Sequence, residues 1–305
     1  MSETKILLYN RERRAIEEEP VFERYYMDLL YGTPPGRVLA RVLSRSRWFS
    51  NLYGTLQRRP KSVEKIGAFI KQHHINVDEI DMPSAGFRSF NDFFTRTLRP
   101  SARPINPDPS ILISPADSRL IAYPLQRDTV LSVKGFSFTL PELLRNHELA
   151  RPYAGGTCLV FRLAPMDCHR FYYIDDGYHD AVVPVGGNLH SVSPLAVRHK
   201  ADTLQNNYRQ YCVLHTRNFG AVLHIDVGAL TVGTIHQHLE QGGSFSRGQE
   251  KGVFAFGGST IVLIFKPGTV IVDDDIAEYS RQGIETLVHY GSEIAKAIPS
   301  EESGR

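Results

Sequence analysis

The sequence predicts an α+β fold: a β-rich catalytic domain, preceded by an N-terminal helical region and followed by a C-terminal helix. Short apolar runs such as Ile111-Leu112-Ile113, Cys158-Leu159-Val160-Phe161 and Tyr211-Cys212-Val213-Leu214 stand between Gly, Pro and Asp clusters, the pattern of strands and turns. Leu223, Ile225 and Val227 alternate with His224 and Asp226, the two-residue period of a strand. Helical periodicity is confined to the two ends. The change of character falls at Arg99-Pro100-Ser101-Ala102-Arg103-Pro104, which divides the chain into residues 1–99 and 100–305.

The elements follow in order. Met1 to Pro20 is rich in Arg and Glu and lacks the apolar stretch of a signal peptide. Pro34-Pro35 opens a helix whose Val38, Leu39, Val42, Leu43 and Phe49 fall on one side and Arg37, Arg41 and Arg45 on another. Such a basic amphipathic helix either packs on the body of the protein or lies in a lipid headgroup region, its Arg row on anionic lipid and Trp48 and Phe49 at the acyl boundary. A second helix is expected from Ser62 to about His74. At the other end, Asp273-Asp274-Asp275 places negative charge at a helix start, and Ile276, Ile284, Leu287 and Ile294 supply a buried side.

Composition narrows the function classes. With 305 residues, 42% hydrophobic and 22% charged, the chain buries a full core as one large or two small domains. Its 35 basic residues nearly balance 33 acidic ones, so no overall field points to nucleic acid. Three cysteines, Cys158, Cys168 and Cys212, lack metal-like spacing and suit a reducing compartment. No stretch reaches the roughly 18 apolar residues of a membrane span. Any attraction to a membrane is local, and a peripheral location on the cytoplasmic face is expected.

The segment with the most chemical content is Gly257-Gly258-Ser259-Thr260. It sits between the β-like runs Gly252-Val253-Phe254-Ala255-Phe256 and Ile261-Val262-Leu263-Ile264-Phe265, which hold a serine beside an unhindered glycyl carbonyl. Attack of the Ser259 hydroxyl on the Gly258 carbonyl shifts the peptide to an ester, and elimination then leaves a pyruvoyl group at a new N-terminus. A serine hydroxyl needs a base for this at neutral pH. Asp117 and His169 are the candidates.

The segments Ser114-Pro115-Ala116-Asp117-Ser118-Arg119, Ala164-Pro165-Met166-Asp167-Cys168-His169-Arg170-Phe171, Val227-Gly228-Ala229-Leu230-Thr231-Val232-Gly233 and Phe256-Gly257-Gly258-Ser259-Thr260 occur in one order over about 83–291. In this they resemble the successive motifs of the phosphatidylserine decarboxylases, pyruvoyl-dependent enzymes that make phosphatidylethanolamine. The resemblance implies self-cleavage between Gly258 and Ser259, a Schiff base between the pyruvoyl group and the amine of phosphatidylserine, and loss of carbon dioxide. The strands flanking the cut are expected to keep the two fragments together, the basic helix is consistent with an anionic membrane surface, and no metal is expected. A homodimer is compatible with the resemblance.

Two positions depart from the family pattern. Ser118 stands where glycine is usual after the aspartate, and Tyr172 stands at the second place of the family's His-Arg-x-His. Either His169 takes over as the base paired with Asp117 and Ser259, or the maturation chemistry is arranged differently. An imidazole titrating near 6.5 suits proton transfer at neutral pH better than a phenol near 10, which favours His169 as base and leaves Tyr172 as a proton donor.

Each residue also has an ordinary explanation. An Asp after Pro-Ala forms turns, a Gly-Gly pair makes bends, and His-x-His in a strand is seldom a metal site, even with His224 near His236 and His238. Taken together and in order, the motifs favour chemistry at Asp117, Gly258 and Ser259. The alternatives are a serine hydrolase using Asp117, His169 and Ser259, for which the Gly-x-Ser-x-Gly elbow is missing, and a non-catalytic lipid-binding relative.

Overall fold

The computed structural model describes residues 6–19, 33, 36, 54–125, 131–133, 136–188, 206–229, 234–255 and 259–299. The basic helix expected near 34–49, the Phe256-Gly257-Gly258 side of the cut and the 230–233 part of the third motif lie outside the described residues.

In chain order the strands are β1 (Leu7–Asn10), β2 (Ala15–Glu18), β3 (Ile111–Ile113), β4 (Ser118–Pro124), β5 (Leu131–Val133), β6 (Phe136–Phe138), β7 (Thr157–Leu163), β8 (Arg170–Tyr172) and β9 (Gly177–His179). They continue with β10 (Val183–Val185), β11 (Arg209–Thr216), β12 (Ala221–Gly228), β13 (Ile235–Gln237), β14 (Gly243–Phe245), β15 (Glu250–Phe254), β16 (Ser259–Phe265), β17 (Val270–Val272), β18 (Glu285–Val288) and β19 (Glu293–Ala297). The helices are α1 (Glu64–His73), α2 (Phe90–Phe94), α3 (Leu140–Leu144), α4 (His147–Ala150) and α5 (Asp274–Arg281). This is the expected α+β, strand-rich chain.

One sheet organises it, in the order β14-β9-β11-β12-β16-β7-β4-β18-β1-β2, with β10 pairing β11. β16 lies in its interior, antiparallel to β12 on one side and β7 on the other. Its Ser-Thr-Ile-Val-Leu-Ile-Phe sequence is rich in β-branched residues, and all seven are buried. A continuous apolar run of this kind marks a strand covered on both faces. Ile261 and Leu263 enter one core cluster, Val262 and Ile264 the other. The alternation in β12 behaves the same way: Leu223, Ile225 and Val227 pack in one core, while His224 and Asp226 are buried on the opposite face rather than solvated. A three-stranded sheet, β13-β15-β8, carries the segment after His169.

The ends differ from expectation. Residues 6–19, expected within a helical region, form the hairpin β1–β2, and β1 pairs parallel with β18. The C-terminal helix stops at Arg281, because Gly283 turns the chain with φ 67°. Ile276 faces the core from α5, Ile284 follows the turn, and Leu287 and Ile294 belong to β18 and β19. The helix expected over 62–74 is a 3-10 turn, Pro60–Val63, leading into α1, which His74 ends in a left-handed conformation. Phe69, Phe90, Phe93 and Phe94 of α1 and α2 form a satellite core, and Phe94 reaches from it to His169.

Candidate active site

Ser259 is the first residue of β16 and is fully buried, opposite Gly228 of β12 and Leu163 of β7. Its Oγ lies 3.1 Å from Nδ1 of His169, which is also fully buried. The other ring nitrogen, Nε2, lies 3.1 Å from the carbonyl oxygen of Ala164. A carbonyl only accepts, so Nε2 carries the proton and Nδ1 is a bare lone pair that receives the Ser259 hydroxyl. The ring is stacked on Phe94 at 3.9 Å. Burial pushes the His169 pKa down to about 3, against the Ala164 carbonyl and with help from Arg96 and Arg119. The imidazole is thus neutral, with its Nδ1 lone pair turned to the Ser259 hydroxyl.

The carbonyl that fixes this tautomer is itself fixed. Ala164 and Asp167 close a turn: Asp167 N donates to Ala164 O at 2.9 Å, and Ala164 N donates to Asp167 Oδ2 at 2.7 Å. Arg119 pairs with the same carboxylate from β4.

Asp117 does not join this dyad, since both nitrogens of His169 are already used. Its carboxylate receives Arg103 Nε at 2.9 Å and Nη2 at 2.9 Å and the Tyr290 backbone N–H at 2.8 Å, with His289 Nδ1 at an ion-pair distance of 3.6 Å. Burial alone would raise its pKa, but His289 and Arg103 outweigh that and hold the carboxyl well below its usual range. The expected Asp117–His169–Ser259 relay is therefore two separate clusters. Tyr172 belongs with Asp117: the two line one pocket with Arg99, Arg103, Arg170 and Tyr290. Its ring stacks on Tyr290 at 3.7 Å, and burial raises its phenol above the ordinary value. His169 and Phe171 point into the core, while Cys168, Arg170 and Tyr172 face the pocket.

His289, Tyr290 and Arg103 were not legible as site residues. His289 and Tyr290 follow β18 in a stretch read as helix, and Arg103 lies in the stretch read as a linker. His289 ties the C-terminal segment to Asp117 and, at 3.4 Å, to Glu12. Burial lowers its pKa, but Asp117 raises it more, so the folded value exceeds the unfolded one. Its stabilising contribution is complete below the unfolded value near 6.5 and is lost as pH rises through the folded value. Thermal midpoints of wild type and His289→Gln, measured from pH 5 to 9, are expected to differ most at the acid end and to converge at the alkaline end.

The remaining candidates are occupied elsewhere. His224 is bonded to Asp226 at 2.9 Å and His238 to Glu250 at 2.7 Å, and no group of three metal-ligating side chains occurs among the described residues. All three thiols are buried, and burial raises Cys158 to about 12 and Cys168 and Cys212 to about 11, which leaves them poor nucleophiles.

Ser259 and His169 form a buried hydroxyl–imidazole pair at the head of an interior strand, unlike the exposed nucleophile of a hydrolase. The sequence profile described as Phosphatidylserine decarboxylase matches residues 90–296, and the chain belongs to that family. It is 42% identical over 294 residues to the phosphatidylserine decarboxylase proenzyme of Clostridium novyi (strain NT), covering 96% of this chain and 100% of that one. It is 39% identical over 290 residues to the proenzymes of the same name from Clostridium perfringens (strain SM101 / Type A) and Clostridium botulinum (strain Hall), covering 95% of this chain and 99% and 98% of theirs.

Proposed function

We propose that this chain is a proenzyme that cuts itself between Gly258 and Ser259 and then decarboxylates phosphatidylserine to phosphatidylethanolamine. The observation that carries the reading is the contact of Ser259 Oγ with the unprotonated Nδ1 of His169, inside a family whose relatives are named proenzymes. In the first step His169 Nδ1 takes the hydroxyl proton, Oγ bonds to the Gly258 carbonyl carbon, and the Gly258–Ser259 C–N bond breaks to give an ester and a free amine. Removal of the Ser259 α-proton then expels Gly258 as a carboxylate, and hydrolysis of the resulting enamine releases ammonia. A pyruvoyl group fits here because it is uncharged and Ser259 is fully buried against a neutral ring. When present, it supplies the carbonyl that takes up the electron pair as carbon dioxide leaves.

The chain's own residues do the rest. Phe94 and the buried strands exclude water around His169, and Ala164 O keeps the ring in one tautomer. The smaller fragment stays in place because β16 is bonded to β12 and β7 of the larger one. Burying the five side chains Ile261 to Phe265 contributes roughly 10 kcal/mol. Across the cut, Arg162 pairs with Glu285 at 2.6 Å and Arg11 with Asp273 at 2.8 Å.

The reading includes a peripheral location on the cytoplasmic face of an anionic membrane, supported by the Arg37, Arg41 and Arg45 row in the sequence. Intact mass spectrometry of the purified chain tests the cut, together with carbon dioxide release from phosphatidylserine vesicles before and after borohydride reduction. Two fragments split at Gly258-Ser259, with activity abolished by reduction, are the expected result; an uncut folded chain defeats the reading. Sedimentation of the cut protein measures whether it forms a homodimer.

The low pKa of His169 also fixes a pH dependence. Its free-base form persists down to about 3, so the cleavage rate is expected to show no inflection near 6.5. Cleavage followed from pH 5 to 8 checks this, and a tenfold fall through 6.5 would show that a different, solvated histidine is the base.

A further inference from the structure

A charged cluster that the chemistry above leaves unused lies between the main sheet and the β13-β15-β8 sheet. Lys251, Asp226 and His224 are 1%, 1% and 0% exposed. Lys251 Nζ donates to Asp226 Oδ2 at 3.1 Å and to Gln237 Oε1 at 2.7 Å. Gln237 Nε2 donates to Asp226 Oδ2 at 2.8 Å, and His224 Nε2 is bonded to Asp226 Oδ1 at 2.9 Å. Burying an ammonium costs several kcal/mol before its partners offset it, and an apolar residue of similar size would often give equal stability. Stability alone is thus a weak account of this lysine.

Its placement offers a better one. The β15–β8 register shifts between Glu250 and Gly252, so Lys251 occupies a β-bulge, a device that re-aims side chains. Glu250 turns outward to Arg170 at 2.7 Å, and Lys251 turns inward. Gly252 permits the close approach: a Cβ there would fall 2.2 Å from His236 O and 2.7 Å from Phe171 Cζ. Three residues beyond Lys251, Phe254 N donates to the carbonyl of His169 at 2.9 Å. On the facing layer, Asp226 lies two residues before Gly228, the strand partner of Ser259. The Lys251–Asp226 and His169–Ser259 contacts therefore tie the same two layers together. Around them pack Leu163, Phe171, Phe254, Ile261 and Leu263, whose apolar contacts are non-directional and fix no register.

We infer that Lys251, through Asp226 and Gln237, is a positioning residue for self-cleavage: it sets the layer bearing His169 against the strand pair bearing Ser259. The inference rests on the Ser259–His169 reading above. Sub-ångström placement of a nucleophile and its base is worth large factors in rate, so losing the tie slows the acyl shift without unfolding the protein.

The test compares cleavage rates, by intact mass, of wild type, Lys251→Met and the charge-neutral pair Asp226→Asn/Lys251→Met, with thermal midpoints alongside. The double variant leaves no unpaired buried charge, so it keeps the fold even where the single one does not. It is expected to cleave at least tenfold more slowly than wild type while melting within a few degrees of it. Hydroxylamine, which cuts an accumulated ester, is expected not to speed it, because the delay precedes the ester. A double variant that cleaves at the wild-type rate, or that hydroxylamine restores, overturns the inference. So does a loss of cleavage that only matches the loss of folded protein. An uncut wild type removes the Ser259 reading and this inference with it, whereas a cut wild type beside an equally fast double variant removes this inference alone.

Discussion

Ser259→Ala is expected to give one uncut chain of 305 residues without decarboxylase activity. The effect is complete because alanine offers no oxygen to attack the Gly258 carbonyl and no precursor of a ketone at residue 259. The fold should persist. Among the described residues Ser259 Oγ makes one hydrogen bond, to His169, so its loss costs about 1 kcal/mol, plus about 1–3 kcal/mol for the ring nitrogen left without a partner. Domains of this kind have roughly 5–15 kcal/mol to lose. β16 keeps its backbone pairing with β12 and β7 whatever side chain occupies position 259. Intact mass and circular dichroism of the variant check both halves, and recovery of two fragments from it would remove Ser259 from the chemistry.

Such a variant isolates the feature that was most legible in the sequence. β16 was visible because an interior strand must be apolar on both faces, and Ile261 to Phe265 is a five-residue run that few other structures accept. The position of Ser259 at its head followed directly. The division of the other site residues was less visible, although part of it was available: on a strand, residues three apart face opposite ways, so His169 and Tyr172 could not share a side. One enters the core beside Ser259; the other lines the pocket beside Asp117. The relay implied by the family pattern assumed an aspartate on the histidine, where the fold supplies the Ala164 carbonyl.

The ends were hidden for different reasons. β1 pairs with β18, 277 residues away, as in Leu8 with Glu285, and no local pattern announces so distant a partner. Its hairpin also turns through Arg11 to Arg14 with Arg14 at φ 51°, where a glycine or asparagine would have signalled the turn. At the C-terminus Ile276, Ile284, Leu287 and Ile294 fit a helical period by spacing, yet Gly283 breaks the run after eight residues. His289 was lost with that misreading. It entered the site only when β18 placed the following turn against the Ser114-Pro115-Ala116-Asp117 loop, through Gly291 N to Ser114 O at 3.0 Å and Tyr290 N to Asp117.

His169→Gln is expected to slow self-cleavage by about 10² to 10⁴-fold, the usual worth of a positioned general base. That range equals about 3–5.5 kcal/mol of barrier. Glutamine preserves polar atoms near Ser259 Oγ and Ala164 O, so the variant removes basicity more than it removes packing. Among the described residues no nearby carboxylate takes over: that of Asp117 is committed to Arg103, Tyr290 N and His289, and that of Asp167 to Arg119 and Ala164 N. His169 and Ser259 are both fully buried, so imidazole added to the buffer is expected not to restore the rate. Fragment appearance followed over hours by intact mass measures the effect. A glutamine variant that cleaves as fast as wild type would mean that the 3.1 Å contact between His169 and Ser259 is structural, and the base would then have to come from the Asp117–His289 cluster on the other side of β8.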